Sequence, residues 1–292
     1  IKREAQAGRM GQMLYAVAIK RPGGFDFRPP TEEDQAAVRR AEVALAANLP
    51  RWEAAGLVPR EPFPAESNDL RPLLYGMPTW ADFFSPRQLL SLVTYLETLR
   101  EVGAEMRQEM DEARAAAVET YLALAISKAV DRNALLATWI PQRLVVGHVF
   151  QRHDFAFVWA FAEFDASANL LPWCIDQILD SYQGLADLTR TAQLPLWSVG
   201  QTLQSAPPAS PVERLNIWQG NAADLGHIPT GSVHHVCVDP PYYDNVMYGE
   251  LSDFFYVWLK RSVGHLYPDF FRDFLANKDD EAVANPARFR DL

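Results

Sequence analysis

Leu14 to Lys20 reads as a short strand, and Gly23-Gly24 as a turn that returns the chain through Phe25 to Arg28; together they predict a hairpin. Pro29-Pro30 then precedes Thr31, whose hydroxyl can cap a helix running through Ala36, Val38 and Ala41 to about Asn48. Glu32, Glu33 and Asp34 are favourable at the positive end of that helix. From Leu49 to Met77 prolines recur too often for regular structure, which predicts an extended connector. Ser85-Pro86-Arg87-Gln88 joins a cap serine, a first-turn proline and a reciprocating glutamine ahead of Leu89, Leu90, Leu92, Val93 and Leu96, so a long amphipathic helix starts there. A second is predicted from about Glu112 to Leu136, with Ala116, Tyr121, Leu122, Leu124, Ala125 and Ala129 at helical spacing; the two are expected to pack antiparallel. Phe155 to Phe164 is aromatic-rich and Leu171 to Leu188 is helical in pattern, so the middle of the chain reads as a mainly helical layer.

After Pro207-Pro208 the pattern changes. Leu215 to Trp218 reads as a strand, Gly220-Asn221-Ala222-Ala223-Asp224 as a turn, and Val233 to Val238 as a buried strand running straight into Asp239; helix follows from Glu250 to about Val263. Strand, turn, strand, loop and helix suit an open α/β sheet, in which ligands collect beyond the carboxyl ends of the strands. The expected fold class is therefore α/β, with part of a Rossmann-like sheet at the C-terminal end and a large, mainly helical insert. Three stretches are expected: 1–30, a hairpin ending an upstream domain; 31–207, the helical region; and 208–292, the C-terminal part of a catalytic domain.

Composition narrows the field. Hydrophobic residues make up 49% of 292, enough for a substantial core. No apolar run approaches the roughly 18 residues of a membrane span, and no secretory signal is visible, so the expectation is no membrane partner and a cytoplasmic location. Cys174 and Cys237 belong to no Cys-x-x-Cys pair that could grip zinc, and both are expected to be buried and inert. The net charge of −10 argues against a surface that is basic all over. One local patch of positive charge remains: Lys2, Arg3, Arg9, Lys20, Arg21 and Arg28 face only Glu4 and Asp26 in the same stretch. The chain opens in mid-pattern on Ile1, which reads as a piece of something longer.

The segment that carries chemistry is Asp239-Pro240-Pro241-Tyr242. An exocyclic amine on a nucleobase is planar and weakly nucleophilic, because its lone pair is delocalised into the ring. A carboxylate and a carbonyl that accept its two N–H bonds draw the nitrogen toward a tetrahedral geometry, which is electrostatic and orientational catalysis. Asp239 would supply the carboxylate and Pro240 the carbonyl. Consecutive prolines fix φ and remove amide donors, and Tyr242 would stack on a base flipped out of its helix. The competing reading is a plain strand-ending turn, since aspartate and proline are common there; the preceding apolar run, the Gly220–Leu225 turn and the aromatic helix that follows favour the first.

Four runs carry a family resemblance: Gly220 to Leu225, Gly231-Ser232-Val233, Val238 to Asp244, and Tyr248 to Arg261. Together they resemble the bacterial adenine-specific DNA methylases described with a zinc ribbon. Trp80 to Leu89 resembles the helical region of the same family, so the likeness covers most of the chain from about Gly76 onward. The resemblance implies S-adenosylmethionine-dependent amino methylation of DNA, at adenine N6 foremost or at cytosine N4, within host restriction-modification or phage defence. DNA would then be the partner, beside other parts of the same parent protein or a defence-system complex. Asn221, at a position where related enzymes carry an acid, would hold the donor's adenine with the Ala222 amide; Tyr243, Asp244 and Asp253 would contact substrate. Asp244 and Asp253 also read as acids that favour a helix start, and Phe254, Phe255, Tyr256 and Trp258 as core.

The sequence has no Gly-x-Gly, and Gly8-x-x-Gly11 lacks a strand before it and a helix after it. The loop that cradles the donor's amino-acid end is thus missing, as are the family's zinc-ribbon cysteines, and S-adenosylmethionine is expected to bind this chain weakly or not at all. Two other readings stay open: an RNA base amino-methyltransferase, since similar tetrapeptides serve guanine N2 and adenine N6 in RNA, and a non-catalytic helical interaction module.

Overall fold

A computed structural model describes residues 1–190, 216–218, 220–222, 224–243, 245–279, 281 and 283. Leu215, Asp244 and the expected boundary at 207/208 lie outside the described residues. The chain divides into two compact units, one formed by residues 1–174 with 241–292 and the other by 175–240. This division differs from the three expected stretches. It leaves residues 1–30 with the helical region, and it joins 241–292 to that same unit.

In the first unit a short helix α1 (Lys2–Gln6) precedes the expected hairpin, β1 (Val17–Arg21) and β2 (Gly24–Arg28), paired from Val17 opposite Arg28 to Arg21 opposite Gly24. Helix α2 (Glu32–Ala54) starts where Thr31 predicts: Thr31 Oγ1 accepts the Asp34 N–H at 3.3 Å and Asp34 Oδ2 accepts the Thr31 N–H at 2.6 Å. The Arg28 guanidinium and the Thr31 donors hold the Asp34 carboxyl well below the usual carboxylate range. The helix does not stop at Asn48. It runs through Pro50 to Ala54, because Trp52 is buried and Glu97 accepts both the Trp52 Nε1–H, at 3.0 Å, and the Arg51 guanidinium. Tertiary packing there overrides the local cost of a proline.

The stretch expected to be an extended connector is partly ordered. It includes α3 (Arg71–Leu74), and Pro62 bridges to Thr79. Gly76 ends this region at φ 78°, with the Ala5 carbonyl so near that a Cβ would sit 2.4 Å from its oxygen. Helix α4 (Pro86–Glu109) begins on the capping box of Ser85 and Gln88, and α5 (Glu112–Arg132) on Asp111, which accepts the Arg114 N–H at 2.9 Å. A two-residue connection leaves α4 and α5 no choice but an antiparallel hairpin. Helix α5 ends four residues before the expected Leu136.

The two-residue strands β3 (Trp139–Ile140) and β4 (Val145–Val146) follow, and the Trp139 ring meets Phe25 and Phe27 of the first hairpin edge-on. Helix α6 (Leu171–Arg190) confirms the helical pattern of that stretch, and α7 (Tyr248–Val263) returns to the first unit. Phe254 and Trp258 of α7 enter an aromatic core with Phe63, Trp80, Phe83, Phe84, Phe150 and Phe155. Most of these rings meet edge-on or tilted, as their quadrupoles prefer. Cys174 is buried as expected.

The fold is mixed helix and strand, and its described strands form two small antiparallel pairs. No Rossmann-like sheet is present among the described residues. Residues 216–218 form no strand, and neither does Val233 to Val238, where Val236 is 81% and Val238 76% exposed. Cys237, within that run, is exposed and not core. An apolar run of this kind is a sheet's interior only when strands lie on both sides of it to pair its backbone groups. None of the described strands does so.

Candidate functional site

Asp239 and Pro240 close the second unit, and Pro241, Tyr242 and Tyr243 open the return to the first. All five are exposed, with Tyr242 at 56% and Tyr243 at 73%. Two successive prolines contribute no N–H, so the two residues that follow Asp239 offer its carboxylate no backbone donor. Among the described residues Asp239 makes no ion pair or side-chain hydrogen bond. Beyond the prolines the chain turns sharply: the Asn245 N–H donates to the Tyr242 carbonyl at 3.1 Å, and Tyr243 takes φ 57°. A bulky residue in the left-handed region is strained, and here it turns the tyrosine ring out into solvent. Asp244 lies outside the described residues.

Asn221 and Ala222 belong to the second unit and sit, exposed, on the expected turn, where the Asp224 N–H donates to the Asn221 carbonyl at 2.9 Å. For the amino-acid end of a methyl donor the sequence has no glycine loop.

Asp253 is elsewhere. It lies on the buried face of α7, where Oδ2 is 2.6 Å from Lys278 Nζ and Oδ1 accepts the Ala276 N–H at 2.8 Å. Burial pushes its carboxyl up to about 6, against the pull of Lys278 and the Ala276 amide. The side chain thus straps residues 276–278 onto α7. Gly249 admits the same strap: a Cβ there would come within 2.8 Å of Lys278 Cγ, and its N–H donates to Glu281 Oε1 at 2.8 Å.

No family model, curated protein or solved structure matches the chain.

Three of the six cations of the positive patch expected near the N-terminus are paired with acids. Arg9 pairs with Glu4, Arg21 with Asp26 and Arg28 with Asp34. A different group of charges comes together in the first unit. Glu119, on the buried face of α5, takes Arg107 on Oε2 at 2.6 Å and faces His265 Nε2 from Oε1 at 3.2 Å. Gly103 of α4 makes room for it, since a Cβ there would stand 3.1 Å from the carboxylate. Nearby, Arg261 makes a two-pronged pair with buried Glu61, at 2.7 and 2.9 Å. The sequence held one sign of this cluster. Glu119 sits four residues from both Ala115 and Ala123, in the middle of a small-residue stripe that helical spacing sends inward.

Proposed function

We propose that the protein takes part in S-adenosylmethionine-dependent methylation of an exocyclic amino group in DNA, foremost adenine N6, as a member of the adenine-specific methylases that it resembles. The observation that carries this reading is the Asp239-Pro240-Pro241-Tyr242 segment, presented on exposed, irregular backbone with its carboxylate uncommitted. Asp239 and the Pro240 carbonyl accept the two amine N–H bonds and turn the nitrogen lone pair out of the base plane. Tyr242 offers its open ring face to a base taken out of the stack, an interaction worth roughly 1–3 kcal/mol per base. The donor supplies an electrophilic methyl group, and the exposed turn at Asn221 and Ala222 holds its adenine. The Rossmann-like sheet belongs to this reading as well: Val233 to Val238 becomes a strand when neighbouring strands pair with it.

Transfer of radiolabelled methyl to duplex DNA and to structured RNA, by the product of the complete reading frame and by its Asp239→Ala variant, tests the proposal. Labelled N6-methyladenine in DNA is expected, lost in the variant while donor affinity holds. Unchanged turnover in the variant removes Asp239 from the chemistry; label confined to RNA transfers the activity to an RNA base.

A further inference from the structure

A cleft of about 330 Å³ opens in the first unit, lined by Arg100, Arg107, Glu119, Lys260, Arg261 and His265. In a chain of net charge −10, four cations and a histidine converge there on one carboxylate. Two of the cations are committed: Arg107 to Glu119 and Glu112, and Arg261 to Glu61. The other two pair with no carboxylate among the described residues. Arg100 donates only to the Ala55 and Arg261 carbonyls, both at 3.2 Å, and Lys260 to the Asp273 carbonyl at 2.6 Å. Neutral carbonyls orient these groups without cancelling their charge. Burial, and then repulsion from Arg261, hold the Arg100 guanidinium below its ordinary pKa. The cleft therefore keeps like charges together at a cost in stability, with the one lining carboxylate already paired to Arg107.

We propose that this cleft binds a phosphate oxyanion and, resting on the methyltransferase reading above, that the phosphate is a backbone phosphodiester of the nucleic-acid substrate. Arg100 presents a planar fork suited to two phosphate oxygens, and Lys260 adds a point charge. Glu119 holds Arg107 at 2.6 Å, and His265 Nε2 lies 3.2 Å from both Arg107 Nη2 and Glu119 Oε1. The volume equals on the order of ten waters, which admits a phosphate and part of what carries it.

The test titrates pyrophosphate, and separately a short duplex at several salt concentrations, into the wild type, R100Q, K260Q and the double variant. Both head groups bond only backbone carbonyls, so the variants are expected to keep their circular dichroism and melting temperature; R100K with K260R restores the charge. Pyrophosphate should bind the wild type and lose roughly tenfold or more in the double variant, because charge-assisted hydrogen bonds each carry about that much. The slope of log affinity against log salt for the duplex should fall by about 0.9 in the double variant, the share of the one phosphate that the cleft holds. Equal pyrophosphate affinity in all variants, or none in the wild type, overturns the site. Pyrophosphate binding that depends on the cleft, beside unchanged duplex affinity, overturns the nucleic-acid assignment and leaves an anion site. Cleft-dependent duplex binding without methyl transfer supports this inference and counts against the activity alone.

Discussion

Replacing Asp253 with asparagine isolates what a buried carboxylate costs this fold. An acid whose folded pKa is raised keeps its proton in the native state after the unfolded chain has released it. Its contribution is therefore fully present below the ordinary value of 3.8, is lost as pH rises to about 6, and is constant beyond. The rise from 3.8 to about 6 corresponds to roughly 3 kcal/mol. The substituted amide keeps an oxygen for the Ala276 N–H but cannot titrate. Urea unfolding of both proteins between about pH 4 and pH 7 reads the difference directly: the wild type should lose most of that roughly 3 kcal/mol relative to Asp253→Asn. A difference that stays constant within about 0.5 kcal/mol across the range would refute the reasoning, because Asp253 would then ionise as it does in the unfolded chain.

Gly76→Ala should destabilise the first unit by about 2–5 kcal/mol, the left-handed backbone and the approach of the Ala5 carbonyl adding together; thermal unfolding measures it, and an unchanged midpoint would mean that α1 does not pack there. Gly249→Ala should loosen residues 276–281, read as faster hydrogen exchange at Ala276 with α4 and α5 unaffected. Tyr242→Ala should weaken binding of DNA carrying an unpaired target base by about 1–3 kcal/mol and leave binding of fully paired DNA unchanged; equal affinity for the unpaired target removes Tyr242 from the site. S-adenosylmethionine should bind this chain at millimolar strength or weaker, because two or three charged-group hydrogen bonds of about 1.5–3 kcal/mol each are forgone without a glycine loop; micromolar binding by calorimetry would place the donor site elsewhere.

What the sequence disclosed was whatever is decided within a few residues. Thr31 with Asp34, and Ser85 with Gln88, are complete devices in four positions, and the helices start on them. The end of α2 was hidden because Trp52 and Arg51 are held by Glu97, on another helix. Val233 to Val238 reads as core because hydrophobic patterning records what a segment could bury and not which strands stand beside it. The chemistry proposed for Asp239 to Tyr242 rests on a contiguous motif, whereas the pairing of Asp253 could not be read this way: its partner Lys278 lies beyond the helix, in a stretch without periodicity. Glu119 was missed for the same reason, since Arg107 and His265 reach it from two other segments.

The aromatic core has an order of arrival. Phe63, Trp80, Phe83 and Phe155 leave the ribosome early, and Phe254 and Trp258, which close the cluster, follow only after the whole of 175–240 has been made. At about 5–20 residues per second, those rings wait roughly 5–40 seconds. During synthesis the α4–α5 hairpin can form from its own local contacts, but the side that α7 later covers stays open. A chain truncated before Tyr248 would keep that nascent state permanently, with its rings exposed to any neighbour of the same kind.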